Sequence, residues 1–307
     1  MSKVLISGAG GFIGANVVEI LAERGLDCLG LDIRRGVLDR RFPLVEGDIL
    51  DESHLDRILN GTEGIVHLAV SNLRTSIENP KRNVRINVEG TLNLLEAARK
   101  HKARKFVYSS ASSVYGVPQY TPVDEEHPKL PKTIYGITKY MGEHLVRVYH
   151  ELHGIDCFIF RFTNVYGPKQ HPATGGLIPT VLTRMHEGKP VFVFGDGMQT
   201  RDFVFVEDVV RFVARAVEES DKTHETVNLG SGIQTAIIDV IKLCADILGV
   251  EPIIEYKQQE IGERKVFQTD MSRCSKIFGE VPNTPLREGL RKTAEWLSTH
   301  VWDRQAE

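Results

Sequence analysis

Cysteine is scarce in this chain of 307 residues: Cys28, Cys157, Cys244 and Cys274 stand far apart and form no CxxC pair. That spacing suits neither a zinc site nor a disulfide framework, and it fits buried thiols in a reducing compartment. Long apolar runs are missing too. None approaches the roughly 20 residues that a membrane span needs, and Ile6 leads into glycines rather than into the apolar core of a signal peptide. Aromatic residues make up only 7%, and a formal net charge of -3 offers no bulk positive charge to hold a nucleic acid or an anionic membrane. What remains is an ordinary folded composition, 41% hydrophobic and 26% charged, with enough length for one large domain or two of ordinary size. A cytoplasmic protein with no resident metal is expected.

Through the first half, short apolar runs alternate with amphipathic stretches. Strands are predicted at Val4–Ser7, Cys28–Asp32, Leu44–Glu46, Ile65–Ala69, Phe106–Ser109 and Cys157–Phe162, and helices at Phe12–Arg24, Asn83–Lys100 and Ile134–His153. That alternation implies parallel βαβ units, an α/β doubly wound sheet covered on both faces. Beyond about residue 164 the texture changes, with Gly167-Pro168, Gly175-Gly176, Gly188-Lys189-Pro190 and Gly195-Asp196-Gly197 as punctuation. Short strands (Val191–Phe194, Phe203–Val206, Val227–Leu229, Ile253–Tyr256) mix there with helices at Val209–Glu219, Ile237–Leu248 and Leu286–Ser298. The expected organisation is a dinucleotide-binding domain over 1–164, to which some later segments return, and a smaller α/β substrate lobe over 165–307.

The joint between the first strand and the first helix reads Gly8-Ala9-Gly10-Gly11-Phe12-Ile13-Gly14. Glycine costs folding entropy, so such a cluster marks places where a side chain does not fit. A tight turn alone would use glycines here; so would a pyrophosphate drawn close to a helix N-terminus. Asp32 ends the second strand, where an acidic side chain accepts hydrogen bonds from an adenosine ribose and repels a 2′-phosphate. Arg34 and Arg35 follow at once and suit a 2′-phosphate, so NADP stays open beside NAD. Asp48 and Ile49 close the third strand, and His67-Leu68-Ala69 the fourth, where small residues leave room for a ribose and nicotinamide.

Tyr135 and Lys139 are four apart on a predicted helix and share a face. Moving a phenol from about 10 towards 7 needs about 4 kcal/mol. One positive charge at about 4 Å supplies that order of energy at an effective dielectric near 20. Such a phenol takes a proton from a sugar hydroxyl while a hydride leaves the same carbon. Upstream, Tyr108-Ser109-Ser110-Ala111-Ser112-Ser113-Val114-Tyr115-Gly116 ends the fifth strand in a row of hydroxyls.

Together these residues resemble the extended short-chain dehydrogenase/reductase family, in its nucleotide-sugar epimerase and dehydratase branch. The likeness extends through Pro80, Asn87-Val88-Glu89-Gly90-Thr91, Arg161-Phe162-Thr163-Asn164-Val165-Tyr166-Gly167-Pro168 and Gly195-Asp196-Gly197-Met198-Gln199-Thr200-Arg201-Asp202-Phe203. The resemblance implies Tyr135 as acid/base and Lys139 as partner of the nicotinamide ribose. It places the cofactor against Gly8, Gly11, Phe12, Ile13, Gly14, Asp32, Asp48, Ile49, Leu68, Ala69, Asn87 and Phe162. It gives Asn164 and Arg201 to the diphosphate of a nucleotide sugar, and it implies a homodimer built on the 83–100 and 134–153 helices.

Three departures bear on the reaction. Ala111 stands where the family carries Ser or Thr, so Ser110 or Ser112 is expected to supply the hydroxyl. Ser112-Ser113 replace the Asp-Glu of the 4,6-dehydratases, which removes the acid and base for eliminating water. Glu260 takes the place of an arginine before Gly262-Glu263, leaving Arg264 or Lys265 to bind phosphate. The leading expectation is an NAD-dependent C4 epimerase of a UDP-hexose that works through a transient 4-keto sugar. A NAD(P)H-dependent reductase of a nucleotide-linked 4-keto-6-deoxy sugar, and a non-catalytic cofactor sensor, stand behind it.

Overall fold

The computed structural model describes residues 3–219, 224–258 and 266–303. The first half alternates strand and helix: β1 Lys3–Ser7, α1 Phe12–Glu23, β2 Asp27–Asp32, β3 Leu44–Glu46, α2 Glu52–Ile58, β4 Thr62–His67, α3 Leu73–Glu78, α4 Pro80–Val84, α5 Gly90–Lys100, β5 Lys105–Ala111, α6 Ile134–His153 and β6 Asp156–Phe162. The second half adds β7 Asn164–Tyr166, α7 Leu177–His186, β8 Val191–Phe194, β9 Thr200–Phe205, α8 Val206–Glu218, β10 His224–Leu229, β11 Gln234–Ala236, α9 Ile237–Leu248, β12 Ile254–Lys257, α10 Ser272–Phe278 and α11 Leu286–Leu297.

Seven strands form one sheet in the order β10-β6-β5-β4-β1-β2-β3. The pairs β1/β2, β1/β4, β2/β3, β4/β5 and β5/β6 are all parallel. Strand order reverses beside β1, the switch point at which open sheets of this kind hold ligands. Strands such as Val4-Leu5-Ile6 and Phe106-Val107-Tyr108 are buried on both faces, as a helix-covered parallel sheet requires.

The chain separates into two compact units, each discontinuous in sequence, which a single boundary does not capture. The first comprises residues 1–116, 128–162 and 210–227; the second comprises 117–127, 163–209 and 228–307. The first unit's core gathers Leu5, Leu31, Ile65, Leu94, Leu95, Phe106 and Ile159. In the second unit Tyr166, Leu182, Val193, Phe205, Ile241, Leu290 and Trp302 do the same. That unit carries a three-stranded sheet ordered β11-β9-β7 and a parallel pair, β12 with β8.

Short elements such as α2, α3, β7, β11 and α10 were not expected, and two further differences have a physical reason. The helix expected over 83–100 is interrupted: α4 passes through a π-helical stretch, Arg85–Glu89, before α5 begins. The buried Asn87 side chain explains the break, bonding Ser71 and Thr138 across the interior. Helix α7 lies where glycine and proline suggested only turns. Its Pro179 falls in the first turn, where a missing N–H costs no helical bond.

Candidate active site

In the first unit the glycines 8, 10, 11 and 14 divide by what holds them. Gly8 has φ +77°, and a Cβ there would meet Ala69 N at 2.5 Å. A Cβ on Gly14 would lie 2.0 Å from Gly8 O, and one on Gly10 2.3 Å from Arg34 O. These three are glycine because backbone passes against backbone. Gly11 is different: φ -82° and ψ 173° suit any residue, and its nearest obstacle, Gly8 O, is 3.2 Å from the ideal Cβ. Gly11 is exposed and stands as N-cap of α1 with no side chain bonding the first turn. A bare helix N-terminus with unclaimed N–H groups is an anion cradle, which fits a cofactor pyrophosphate.

Asp32 borders that cradle and its Oδ2 accepts from Gly10 N at 3.0 Å. Burial raises its carboxyl above the usual range, against the lowering effect of N–H groups from Gly10, Arg34 and Ile33. A cavity of about 600 Å³ is lined by Gly8, Gly11, Asp32, Asp48, Ile49, Leu68 and Ala69 among others. Arg34 also lines it, whereas Arg35 is tied back to Asp39 O and Phe42 O, each at 3.2 Å. Phe12 and Ile13 are half-buried in the first turn of α1, and Phe162 is buried at the end of β6; neither they nor Gly14 line this cavity. Asn87 does not line it either. Its buried amide holds Ser71, a cavity residue, through both Ser71 N and Ser71 O, so it acts on the cavity by positioning.

Tyr135 and Lys139 ride on α6, whose start is fixed by Thr133 Oγ1 accepting from Gly136 N at 3.0 Å. Tyr135 is half-buried and Lys139 is 3% exposed. The expected lowering of the phenol by the lysine is not what the protein alone shows. Burial pushes Tyr135 up to about 12 and pulls Lys139 down to about 7, with Glu143 opposing the latter. Removal from water penalises both charged forms, and the Lys139 ammonium sits over the Tyr108 ring, 4.5 Å from its centroid.

Ser110, expected as one source of the missing hydroxyl, faces away from that task. Its Oγ donates to Glu143 Oε1 at 2.6 Å within a buried set that includes Arg161 and Tyr115. A strand alternates its faces, so neighbouring serines do different work. Ser112 opens the turn after β5 and is half-buried. Ser113, which was not expected as a source of the hydroxyl, passes against helix α6: its carbonyl would lie 2.7 Å from a Cβ on Gly136. Its Oγ is buried with no hydrogen-bond partner among the described residues. A buried hydroxyl without a partner calls for an explanation, and a ligand group is one candidate.

The second unit holds its own cavity, of about 380 Å³, lined by Asn164, Arg184, Phe192, Phe194, Gln199 and Arg201 among others. Asn164 is exposed, and its Nδ2 donates to Asp202 O at 3.0 Å. Asp202, buried and absent from the sequence-based site, organises the neighbourhood by accepting from Ser231 N, Ser231 Oγ, Gly232 N and Thr269 N. Nothing in its spacing marks it, because those partners come from two later segments. Arg264, with Glu260, Gly262, Glu263 and Lys265, lies outside the described residues.

Comparison with known proteins agrees with this arrangement. The profile of the NAD dependent epimerase/dehydratase family matches residues 4–230. A putative UDP-glucose 4-epimerase of Methanocaldococcus jannaschii is 35% identical, over 97% of this chain and 99% of the relative. Among solved structures, a UDP-glucose 4-epimerase of Thermotoga maritima with UDP-glucose matches with TM-score 0.91 and 32% identity, over 99% of this chain and 100% of that one. A UDP-glucuronic acid 4-epimerase of Bacillus cereus, in complex with UDP-glucuronic acid and NAD, matches with TM-score 0.89 and 32% identity, over 97% and 99%. From its glycine cradle to its paired tyrosine and lysine, the chain belongs to the NAD dependent epimerase/dehydratase family.

Proposed function

We propose that the protein is an NAD-dependent 4-epimerase of a UDP-linked hexose. The carrying observation is the occurrence, in one unit, of the bare cradle at Gly11 and, on α6, the half-buried Tyr135 with the buried Lys139 one turn on. Gly8, Gly11, Asp32, Asp48, Ile49, Leu68 and Ala69 would hold NAD, with Asp32 on the adenosine ribose and Phe12, Ile13, Gly14, Asn87 and Phe162 supporting the same site. NAD supplies the hydride acceptor and donor, together with a positive charge in its oxidised form.

Tyr135 takes the C4 hydroxyl proton as the carbon is oxidised and returns it when the other face is reduced. Lys139 holds the ribose and keeps the phenolate favourable once a positive charge shares the site. Ser112 and Ser113 replace the hydroxyl lost at Ala111 and orient the C4 oxygen. With serines in place of acids at 112 and 113, no residue pair is set to eliminate water, which favours epimerisation over dehydration.

In the second unit, Arg201 would clamp the diphosphate, with Asn164 beside it. Phe192 and Phe194, both partly exposed on the cavity wall, suit a nucleotide base. A homodimer is proposed on the helix face where Val84, Leu92, Ile137, Met141, Val148 and Leu152 are exposed together. Among the described residues no helix is long and apolar enough to cross a membrane, which accords with an enzyme of the cytoplasm.

The test is proton NMR of the protein with UDP-glucose, UDP-N-acetylglucosamine, UDP-glucuronate or a dTDP-hexose, with catalytic NAD and no reductant. Appearance of a C4 epimer is expected with one UDP-sugar. No change with any of them, together with oxidation of NADPH on a nucleotide-linked 4-keto sugar, would transfer the assignment to the reductase reading that Arg34 favours.

A further inference from the structure

Away from the cofactor cavity, two neighbouring elements of the first unit and one remote strand bring three side chains together. His150 lies in the last turn of α6, Cys157 is the second residue of β6, and His224 is the first of β10. One ring nitrogen of each imidazole and Cys157 Sγ all lie within 4.8 Å of one another. Cys157 Sγ and His224 Nδ1 are 3.0 Å apart, and the two imidazoles stack with centroids separated by 4.9 Å. His150 Nδ1 is 2.9 Å from Ile155 O, so that nitrogen carries the proton and Nε2 offers its lone pair. A backbone carbonyl behind an imidazole is the usual outer support of a metal-binding histidine.

We propose that His150, Cys157 and His224 form a binding site for a divalent cation of the zinc class, with solvent as fourth ligand. One thiolate and two imidazoles suit a borderline-soft ion and not magnesium or calcium, which take oxygen ligands. Tetrahedral bonds of about 2.3 Å to sulfur and about 2.0 Å to nitrogen set ligand atoms about 3.3–3.5 Å apart, so the Cys157–His224 pair at 3.0 Å opens slightly and a pair as wide as 4.8 Å closes by roughly 1.5 Å. Burial and His150 hold His224 below its ordinary range, which leaves it neutral and able to ligate. Burial pushes the Cys157 thiol up to about 12, so binding must release its proton and strengthens with pH. Asp156 and Glu225 act on Cys157, and Glu151 on His224, with Arg147 as the opposing charge, a balance that suits a cation. Cys157 is buried, while both imidazoles are half-buried and give the ion a way in. The cluster sits at the start of β6, whereas Phe162 marks the end nearer the cofactor strands' carboxyl ends. Its role is to pin the last turn of α6 to the sheet, separate from sugar chemistry. The cysteine spacing gave no sign of it because two of the ligands are histidines supplied by topology.

The experiment is cobalt(II) titration of the tag-free chain under a phosphine reductant, read by absorbance. The expected result is one equivalent bound, a thiolate-to-cobalt charge-transfer band and tetrahedral d–d bands, all displaced by zinc. Cys157→Ser should remove the charge-transfer band. His150→Ala, at a half-buried helix position, should weaken cobalt at least tenfold while leaving sugar turnover unchanged. The proposal is overturned if the native chain shows no charge-transfer band, if the band survives Cys157→Ser, or if His150→Ala binds as tightly as the native chain.

Discussion

Glu143→Gln is the most searching perturbation of the catalytic helix. Glu143 is completely buried and accepts from Arg161 Nε at 2.8 Å, Arg161 Nη2 at 2.7 Å, Ser110 Oγ at 2.6 Å and Arg147 Nη2 at 3.0 Å. Burial alone would raise its carboxyl, but Arg161, Ser110 and Arg147 outweigh it and hold the group below its usual range. Glutamine keeps one acceptor and turns an NH₂ towards a guanidinium that is 1% exposed. Breaking one partner of a buried pair leaves an uncompensated charge and costs about 3–5 kcal/mol. In urea that loss should move the unfolding midpoint down by roughly 1 M or more.

The double replacement Glu143→Leu with Arg161→Met should recover most of the loss, because no buried charge is then left alone. A kinetic consequence accompanies the structural one. Glu143 props up the charge on Lys139, so without it Lys139 should lose its proton at a lower pH than about 7. Activity of the glutamine variant should therefore fall off at lower pH than that of the native protein. A stability loss under about 1 kcal/mol with an unchanged pH profile would refute the reasoning.

Further outcomes follow from the same geometry. Gly11→Val should leave the fold intact and abolish retained NAD, whereas Gly14→Ala, with a Cβ 2.0 Å from Gly8 O, should lower the melting temperature first; equal NAD content in native and Gly11→Val protein would remove Gly11 from the cradle. Tyr135→Phe should lower turnover by about 10²–10⁴-fold with cofactor content unchanged, measured by NMR of epimer formation. His67, buried between Ser7 Oγ and Thr91 Oγ1, is held down to about 3 by burial, with Lys139 adding to the effect. The unfolded chain takes up a proton near 6.5 that the folded chain refuses, so this contribution is full above 6.5 and is lost as pH falls towards 3. Between pH 6.5 and 5 the loss is about 2 kcal/mol, and a His67→Gln variant should show that much less acid sensitivity in urea titrations. If the proposed homodimer forms, light scattering should give twice the single-chain mass for the native protein and the single-chain mass for Met141→Arg on the exposed helix face.

The sequence by itself determined a great deal. The apolar runs Val4-Leu5-Ile6 in β1 and Phe106-Val107-Tyr108 in β5 were legible because a strand segment covered on both faces reads as a continuous apolar run. The cradle was legible because glycine spacing records backbone approach, and the Tyr135–Lys139 pair because helical periodicity is local. Only the tertiary structure separated Gly11 from Gly8 and Gly14, since the distinction rests on what a Cβ would meet across two chain segments. It also sent Ser110 to Glu143 and left Ser113 Oγ without a partner among the described residues, a sorting decided by strand faces and by the turn that follows. It further showed the Asn87 amide donating to Ser71 O and Thr138 Oγ1, partners that its place in the sequence does not reveal. Asp202 and the His150–Cys157–His224 cluster were invisible to spacing for a common reason. Asp202 meets partners 29 and 67 residues away, and His224 lies 67 residues beyond Cys157, so both groupings form only once the sheets are assembled.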